Sequence, residues 1–485
     1  MTPVRGTKKI LVANRGEIAL RIIRTIKELG LTAVAVYERP DSESMFIRSA
    51  DDAICIGDGP RKDYLDIERM IWAARKTGAC AIHPGYGFLA ENPEFSRACE
   101  EAGLVFIGPP PEVIRNLGNK IVARQIMERA GIPSIPGTDD LPEGEQGIET
   151  AVAFGEKYGY PLMLKASSGG GGRGIRKINA RNELVVQIPQ ARAEALSAFN
   201  DGNVYVEKCI ERPRHVEVQI LADTQGNIIH LGSRDCSIQR RHQKLIEIAP
   251  ADLPLNVLDS IHETAVRAAQ SAGYVNAGTV EFLVDAATNQ FWFMEMNTRL
   301  QVEHTVTEML TGVDIVREQI RIADGGHLEF PDVRFHLLGK AIQVRINAED
   351  PKNNFMPEGG KRVEVYHSPG GPGIRLDGIA YQGFRIPTEY DSLLVKMTVR
   401  GRDWEQAVQR LKRALNDFLI VGPKTTIPFY LSICDDPDFR RGVFDTSYLE
   451  THENVFDYPQ KEREVARLAR LVAEIHTKKM NPYAF

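Results

Sequence analysis

The residue types best placed to do chemistry lie between Glu281 and Glu303, in EFLVDAATNQFWFMEMNTRLQVE. EFLVD and FWFMEMN are rich in β-branched and aromatic residues, and AATNQ between them is turn-compatible, so the stretch reads as a hairpin. Pairing Asp285 with Phe291 sets a register in which Glu281 faces Glu295. Directly opposed side chains sit about 5 Å apart, where like charges repel. Asn297 follows Glu295 by two and shares its face. Two carboxylates and an amide oxygen among apolar neighbours suit a hard cation such as Mg²⁺ (or Mn²⁺), which takes oxygen ligands. Arg299, Gln301 and Glu303 continue the every-other-residue series. A solvated amphipathic hairpin would explain any one of these residues. The whole constellation favours a site.

Other stretches could face it. Pro161–Lys165 reads as a short strand, and the glycine-rich loop 167–174 follows at once. Such a run gives up folding entropy, which is useful where backbone N–H groups close over a bulky anion. Lys165 stands directly before it. No G-K-[ST] follows, so this is not a P-loop of the Walker type. NVYVEKCI (203–210) is a strand ending in Glu-Lys. RHVEVQILAD (214–223) alternates strictly and pairs with 227–237. Arg240, Arg241, His242 and Lys244 form a basic run that would line an oxyanion site.

The elements that must position these residues begin with a parallel β/α pattern. KKILVAN is a strand, Asn14-Arg15-Gly16 a turn, and Ile18, Ile22, Ile26 and Leu29 a helical stripe stopped by Gly30. LTAVAVY is the next strand. Further strands at ADDAICIG, GACAIHPG and LVFIGP, with helices near 66–77 and 93–102, make the first ~115 residues a doubly wound α/β domain. N-R-G-E is not the dinucleotide fingerprint G-x-G-x-x-G, and the acidic partner that reading needs would be Glu38. HPGYGFLAENP (83–93) is a loop after a strand, where such domains place ligands. Tyr86 and Phe88 in it could equally be core anchors. A helix is expected over 120–135, a linker over 136–147, and helices over 254–272 and 307–323. KAIQVRINAED starts a third, α+β region with a helix at 403–418 whose stripe is Trp404, Val408, Leu411, Leu415 and Phe418. A charged terminal helix is expected over 460–480.

At 485 residues, 43% hydrophobic and 26% charged, the chain suits a globular protein of several domains. A net charge of −5 argues for neither nucleic acid nor a membrane surface. Six cysteines without C-x-x-C spacing indicate neither zinc nor a disulfide framework. The N-terminus lacks a signal-peptide core, so a cytoplasmic location is expected.

In combination, ANRGEIA, HPGYGFLAEN, KASSGGGGRG, RHVEVQ, RDCSIQRRHQK, EMNTRLQVEH and RINAEDP resemble the biotin carboxylase family of the ATP-grasp superfamily, over roughly residues 7–450. The resemblance implies a doubly wound domain at 1–118, an ATP-grasp domain at 119–330 with a mobile lid near 137–209, an α+β domain at 331–450, and a helical extension at 451–485. It implies ATP-dependent carboxylation of biotin through carboxyphosphate, with ATP and Mg²⁺ as cofactors. Lys120, Lys165, Gly171, Gly172 and His215 match phosphate contacts. Glu207, Lys208, Cys209 and Ile210 match the adenine-contacting edge, with Gln239 and His242 near the nucleotide. Glu281, Glu295 and Asn297 match the metal ligands. Lys244, Arg299, Gln301, Val302 and Glu303 match the bicarbonate pocket, with Glu303 as the base. Arg345 matches the residue facing the biotin ureido oxygen, and Tyr86 lies near biotin. Val302 breaks the alternation, so the strand is expected to end by Arg299 in a turn.

Ser168 stands where many relatives have glycine, and Thr305 where acyl-CoA-type relatives have proline. The threonine is similar to pyruvate and other 2-oxoacid carboxylases. The carrier's Met-Lys-Met signature is absent, so biotin is expected on a separate carrier protein, with a separate carboxyltransferase subunit. A homodimer is expected. The competing readings are another ATP-grasp ligase joining a carboxylate to an amine, and a non-catalytic nucleotide-binding subunit. The latter predicts missing lysines or metal ligands, and none is missing.

Overall fold

The structure is a computed structural model and describes residues 6–168, 174–328 and 339–458. The expected helix at 460–480 and the glycines Gly171 and Gly172 lie outside these residues.

The N-terminal sheet has five parallel strands in the order Asp52–Gly57, Thr32–Glu38, Lys9–Val12, Ala81–His83, Val105–Phe106. Ile18, Ile22 and Ile26 of helix Gly16–Glu28 are buried against it, as the stripe requires. Gly16 opens that helix at φ +70°, a left-handed conformation that favours glycine. Strand order reverses between Lys9–Val12 and Ala81–His83, so the loops after these strands flank a crevice. Glu17, in the first turn of that helix, meets Tyr86 of the 83–93 loop, and Glu91 of the same loop reaches Arg299. Phe88 packs on Tyr64, with ring centroids 5.0 Å apart, and is the core anchor of its loop. Glu38 is fully buried and accepts hydrogen bonds from Arg61 N–H, Asp63 N–H and the Tyr390 hydroxyl. No ribose could reach it, which closes the dinucleotide reading.

The third region shares its main sheet with the region before it. Strand Gln243–Ala249 pairs with Lys340–Asn347, so one eight-stranded sheet runs through both halves. Its order is Phe291–Asn297, Asn276–Val284, Arg214–Ala222, Ile228–Arg240, Gln243–Ala249, Lys340–Asn347, Leu393–Gly401, Ile374–Gly378. Val216, Val218 and Ile220 pack against helix Leu255–Ser271 on one face. Alternation sends His215, Glu217 and Gln219 to the other face, where they too are buried rather than solvated.

A three-stranded antiparallel sheet, Ile175–Ile178, Leu162–Ala166, Val204–Lys208, carries Lys165. Leu162, Leu164 and Ala166 bury against helices Glu145–Tyr158 and Arg181–Phe199. Both helices escaped the sequence reading, and the first starts inside the expected linker.

Two expected helices are shorter. The one expected over 120–135 spans Lys120–Arg129, with Gly131 at φ +68° beyond it. The one expected over 307–323 is two helices, His304–Thr311 and Ile315–Ala323. Gly312 ends the first in the left-handed region, and the Asp314 carboxylate caps the second by accepting from Arg317 N–H. Helix Trp404–Asp417 buries Val408, Leu411 and Leu415 as expected.

Candidate active site

Glu281 pairs with Glu295 and Thr279 with Asn297. The register is the expected one at the site but not at the turn. Val284, not Asp285, faces Phe291, and a bulge beyond Glu281 absorbs the difference. The strand ends at Asn297. The chain then turns, and Glu303 stands at the head of helix His304–Thr311. The early end that Val302 implies is therefore observed, and it overturns the in-line extension through Arg299, Gln301 and Glu303.

Lys244 sits at the centre. Its Nζ donates to Glu217 Oε2 at 2.5 Å, Glu281 Oε1 at 2.9 Å and Glu303 Oε1 at 2.7 Å. Burial opposes the ammonium charge, yet the three carboxylates hold its pKa well above the ordinary lysine value. Glu281 Oε1 also accepts from Asn297 at 2.8 Å and Gln301 at 3.0 Å, and His215 Nε2 lies 2.8 Å from Oε2. Burial disfavours its ionisation, but Lys244 and His215 hold it well below the usual carboxylate range. Arg299 reaches Asn297 Oδ1 at 3.1 Å, Gln301 Oε1 at 3.0 Å and Glu91 Oε2 at 2.7 Å. Arg345 bonds Glu247 at 2.8 Å and Glu303 at 3.3 Å. A continuous polar network thus joins hairpin, turn and N-terminal loop.

The donor set fits a hard divalent cation. Glu295 has a 34% exposed side chain, with Lys120 at 3.7 Å, and it stands across from Glu281 on the face of Asn297. His215, Glu217 and Glu281 also cluster closely enough to suggest a ligand set. Lys244 bonds both carboxylates of that set, so we read it as an ion-pair cluster.

Behind the site, Lys396 is fully buried. It donates to Val302 O at 2.9 Å, lies 3.2 Å from Glu17 Oε1, and sits 5.7 Å from the Tyr86 ring centroid. The Tyr86 hydroxyl bonds Glu17. Burial pushes the Glu17 carboxyl up to about 7, against the pull of Lys396. Between pH 4.5 and about 7 the unfolded chain has lost this proton while the fold keeps it, so stability falls as pH rises through that window. Against a Glu17→Gln variant, the wild type should lose about 3 kcal/mol of relative stability from pH 4 to pH 8. Chemical denaturation across that range measures it. A flat difference would mean that Glu17 has the same pKa in the folded and unfolded chain.

Three family models match the chain: the biotin carboxylase N-terminal domain over 6–114, the carbamoyl-phosphate synthase L chain ATP-binding domain over 119–330, and the biotin carboxylase C-terminal domain over 343–451. The chain belongs to the biotin carboxylase family. It is 48% identical to biotin carboxylase 1 of Bacillus subtilis, over 92% of this chain and 99% of that one. It is 49% identical to the 2-oxoglutarate carboxylase small subunit of Hydrogenobacter thermophilus, over 97% and 99%. The biotin carboxylase domain dimer of that 2-oxoglutarate carboxylase, solved with MgADP, ADP and bicarbonate, superposes with a TM-score of 0.91 at 49% identity, over 94% of this chain and all of that one. The chain is accordingly an ATP-dependent ligase that uses Mg²⁺ and biotin.

Within this carboxylase the structure brings together Lys244, Glu281, Asn297, Arg299, Gln301, Glu303, Arg345 and His215, with Gln239 Nε2 2.7 Å from His215 Nδ1. Lys120 joins through Glu295. Lys165 pairs with Glu207 on the three-stranded sheet, at 2.5 Å. Lys208 bonds Gly159 O at 3.3 Å, and Cys209 is buried beside Ile210. The basic run divides. Lys244 enters the site and His242 sits in the turn before it, but Arg240 bonds Asn354 at 2.6 Å and stacks on Phe355 at 4.5 Å. Arg241 also turns to Asn354. Arg240 and Arg241 therefore do not line the site with Lys244.

Sequence reasoning missed Glu217, Arg234, Glu247 and Lys396. Arg234 is fully buried and binds Glu217, Gln219 Oε1 at 2.8 Å, Thr307 Oγ1 at 3.0 Å and Thr279 Oγ1 at 3.1 Å. Glu217 was findable, since it follows His215 by two on the alternating strand. The others needed strand pairings that no local pattern reveals. Among the described residues, no helix is long and apolar enough to cross a membrane.

Proposed function

We propose that this chain carries out the first half-reaction of a multi-subunit carboxylase. It phosphorylates bicarbonate with ATP and carboxylates biotin on a separate carrier protein, for a separate carboxyltransferase. A homodimer in the cytoplasm completes the reading. The observation that carries it is Lys244, which ties the metal hairpin to the Glu303 pocket through Glu281 and Glu303.

In this reading Arg299, Gln301, Lys244 and the Val302 turn hold bicarbonate. Glu303 takes its proton, and the freed oxygen attacks the γ-phosphorus of ATP, releasing ADP and forming carboxyphosphate. Burial works against the Glu303 charge, but Lys244 and Arg345 hold its pKa well below the usual range, so it starts as a weak base. Anions arriving at those two cations share their charge and make Glu303 more basic. Mg²⁺, held by Glu281, Glu295 and Asn297, would neutralise charge on the phosphates. Lys120, Lys165 and His215 would spread the rest, with the loop glycines Gly171 and Gly172 covering the phosphates. Glu207 to Ile210, with Gln239 and His242, would meet the base. Carboxyphosphate then splits to CO₂ and phosphate. The phosphate takes the biotin N1 proton, and N1 attacks CO₂, while Arg345 holds the ureido oxygen and Tyr86 the ring.

The test is ADP formation by the purified chain. It should require bicarbonate and a divalent cation, stop on chelation, and rise with free biotin. Stimulation by an amino acid in place of biotin would sink the reading and restore the amine-ligase alternative.

A further inference from the structure

Thr305 follows the catalytic turn and is fully buried. Its hydroxyl donates to Gln343 Oε1 and lies 2.7 Å from Thr398 Oγ1. Gln343 Nε2 donates to Glu247 Oε2 at 2.9 Å. Glu247 Oε1 accepts from Arg345 Nε at 2.8 Å, and Arg345 Nη2 reaches Glu303 Oε2 at 3.3 Å. Glu303 precedes Thr305 by two residues, so the bonds form a closed ring.

Strand pairing builds the ring. Glu247 faces Gln343 and Gln343 faces Thr398 across three adjacent strands. Arg345 follows Gln343 by two and shares its face. Helix His304–Thr311 then sets Thr305 against that row. The direction of each bond is forced. A carboxylate only accepts, so Gln343 must turn its NH₂ to Glu247. Its carbonyl then faces Thr305, whose hydroxyl must donate, and Thr398 must donate to Thr305. Glu247 and Gln343 are fully buried, so no water is at hand to replace a lost partner.

We propose that Thr305 is a positioning residue: through Gln343 and Glu247 it fixes where Arg345 points, and with it the biotin half of the site. The inference rests on the reading that Arg345 faces biotin. It also moves the meaning of this threonine. The sequence comparison attached it to the final carboxyl acceptor, but a fully buried side chain that orients Arg345 acts inside this subunit, whatever the acceptor.

The experiment compares the full chain with Thr305→Val and Thr305→Ser, measuring bicarbonate-dependent ADP formation with and without free biotin. Thr305→Val should raise KM for biotin and lower biotin-stimulated turnover by up to about a hundredfold, the cost of misplacing a positioning group by ~1 Å. Biotin-independent ATP cleavage should fall less, and Thr305→Ser, which keeps the hydroxyl, should recover the biotin response. Should Thr305→Val fail to fold, Gln343→Leu must show the same split. A well-folded Thr305→Val or Gln343→Leu enzyme with wild-type KM and turnover for biotin overturns the inference, as does an equal loss in the Val and Ser variants. A wild-type chain without biotin stimulation overturns the functional reading itself, a result visible before any variant is made.

Discussion

Lys244→Met should lower turnover by about 10²–10³ and destabilise the fold together. The ammonium is the shared partner of Glu217, Glu281 and Glu303, all buried. Methionine fills similar volume but leaves those carboxylates facing one another in a dry interior. Removing one member of a buried ion pair costs about 3–5 kcal/mol. Arg234, His215 and Arg345 still touch these acids and keep the loss in that range. The catalytic loss is separate, because a fixed cation at a developing oxyanion is worth about 10²–10³ in kcat. Thermal melting with ADP release measures both. A variant that melts like the wild type would show that the acids pick up protons or water at little cost. One that folds and turns over normally would remove Lys244 from the mechanism.

Glu303→Gln should separate chemistry from binding. The amide has the carboxylate's shape, but its one carbonyl oxygen can accept from Lys244 or from Arg345 and not from both. Some stability is therefore lost, while ATP affinity should change little. It cannot take the bicarbonate proton. A general base contributes about 10²–10⁴ in rate, and bicarbonate-dependent ADP formation should fall by that factor. Equilibrium ATP binding beside steady-state turnover gives the comparison. Equal losses in both would make Glu303 a structural anion between Lys244 and Arg345. An unchanged rate would assign the proton to another base.

The largest misreadings share one cause, which is that local pattern carries no information on what a face packs against. Strict alternation in 214–223 marks a strand correctly, but it does not say what the polar face packs against. In the fold the polar face holds His215, Glu217 and Gln219 in the dry active-site network. The basic run at 240–244 reads as one lining. A hairpin turn with Arg241 at φ +48° and His242 at φ +63° splits it, sending Lys244 inward and Arg240 to Asn354. KAIQVRINAED reads as the start of a third region, and nothing local shows which strand it joins. Only the pairing of Ile246 with Val344 and Ile248 with Ile342 shows that the sheet is continuous.

By itself, the sequence determined what depends on neighbours along the chain. The first β/α units and the hairpin follow from side-chain period and turn chemistry, which act over a few residues. The opposition of Glu281 to Glu295 also needed the bulge beyond Glu281. The combined motifs determined the family. Tertiary structure alone decided that three buried acids from strands and a turn converge on Lys244. It alone decided that Glu17 and Lys396 meet behind Val302, and that Thr305 closes a ring back to Glu303 through Arg345. These groups come from segments up to hundreds of residues apart. Their charges become tolerable only once the fold supplies partners, so no local stretch records that they belong together.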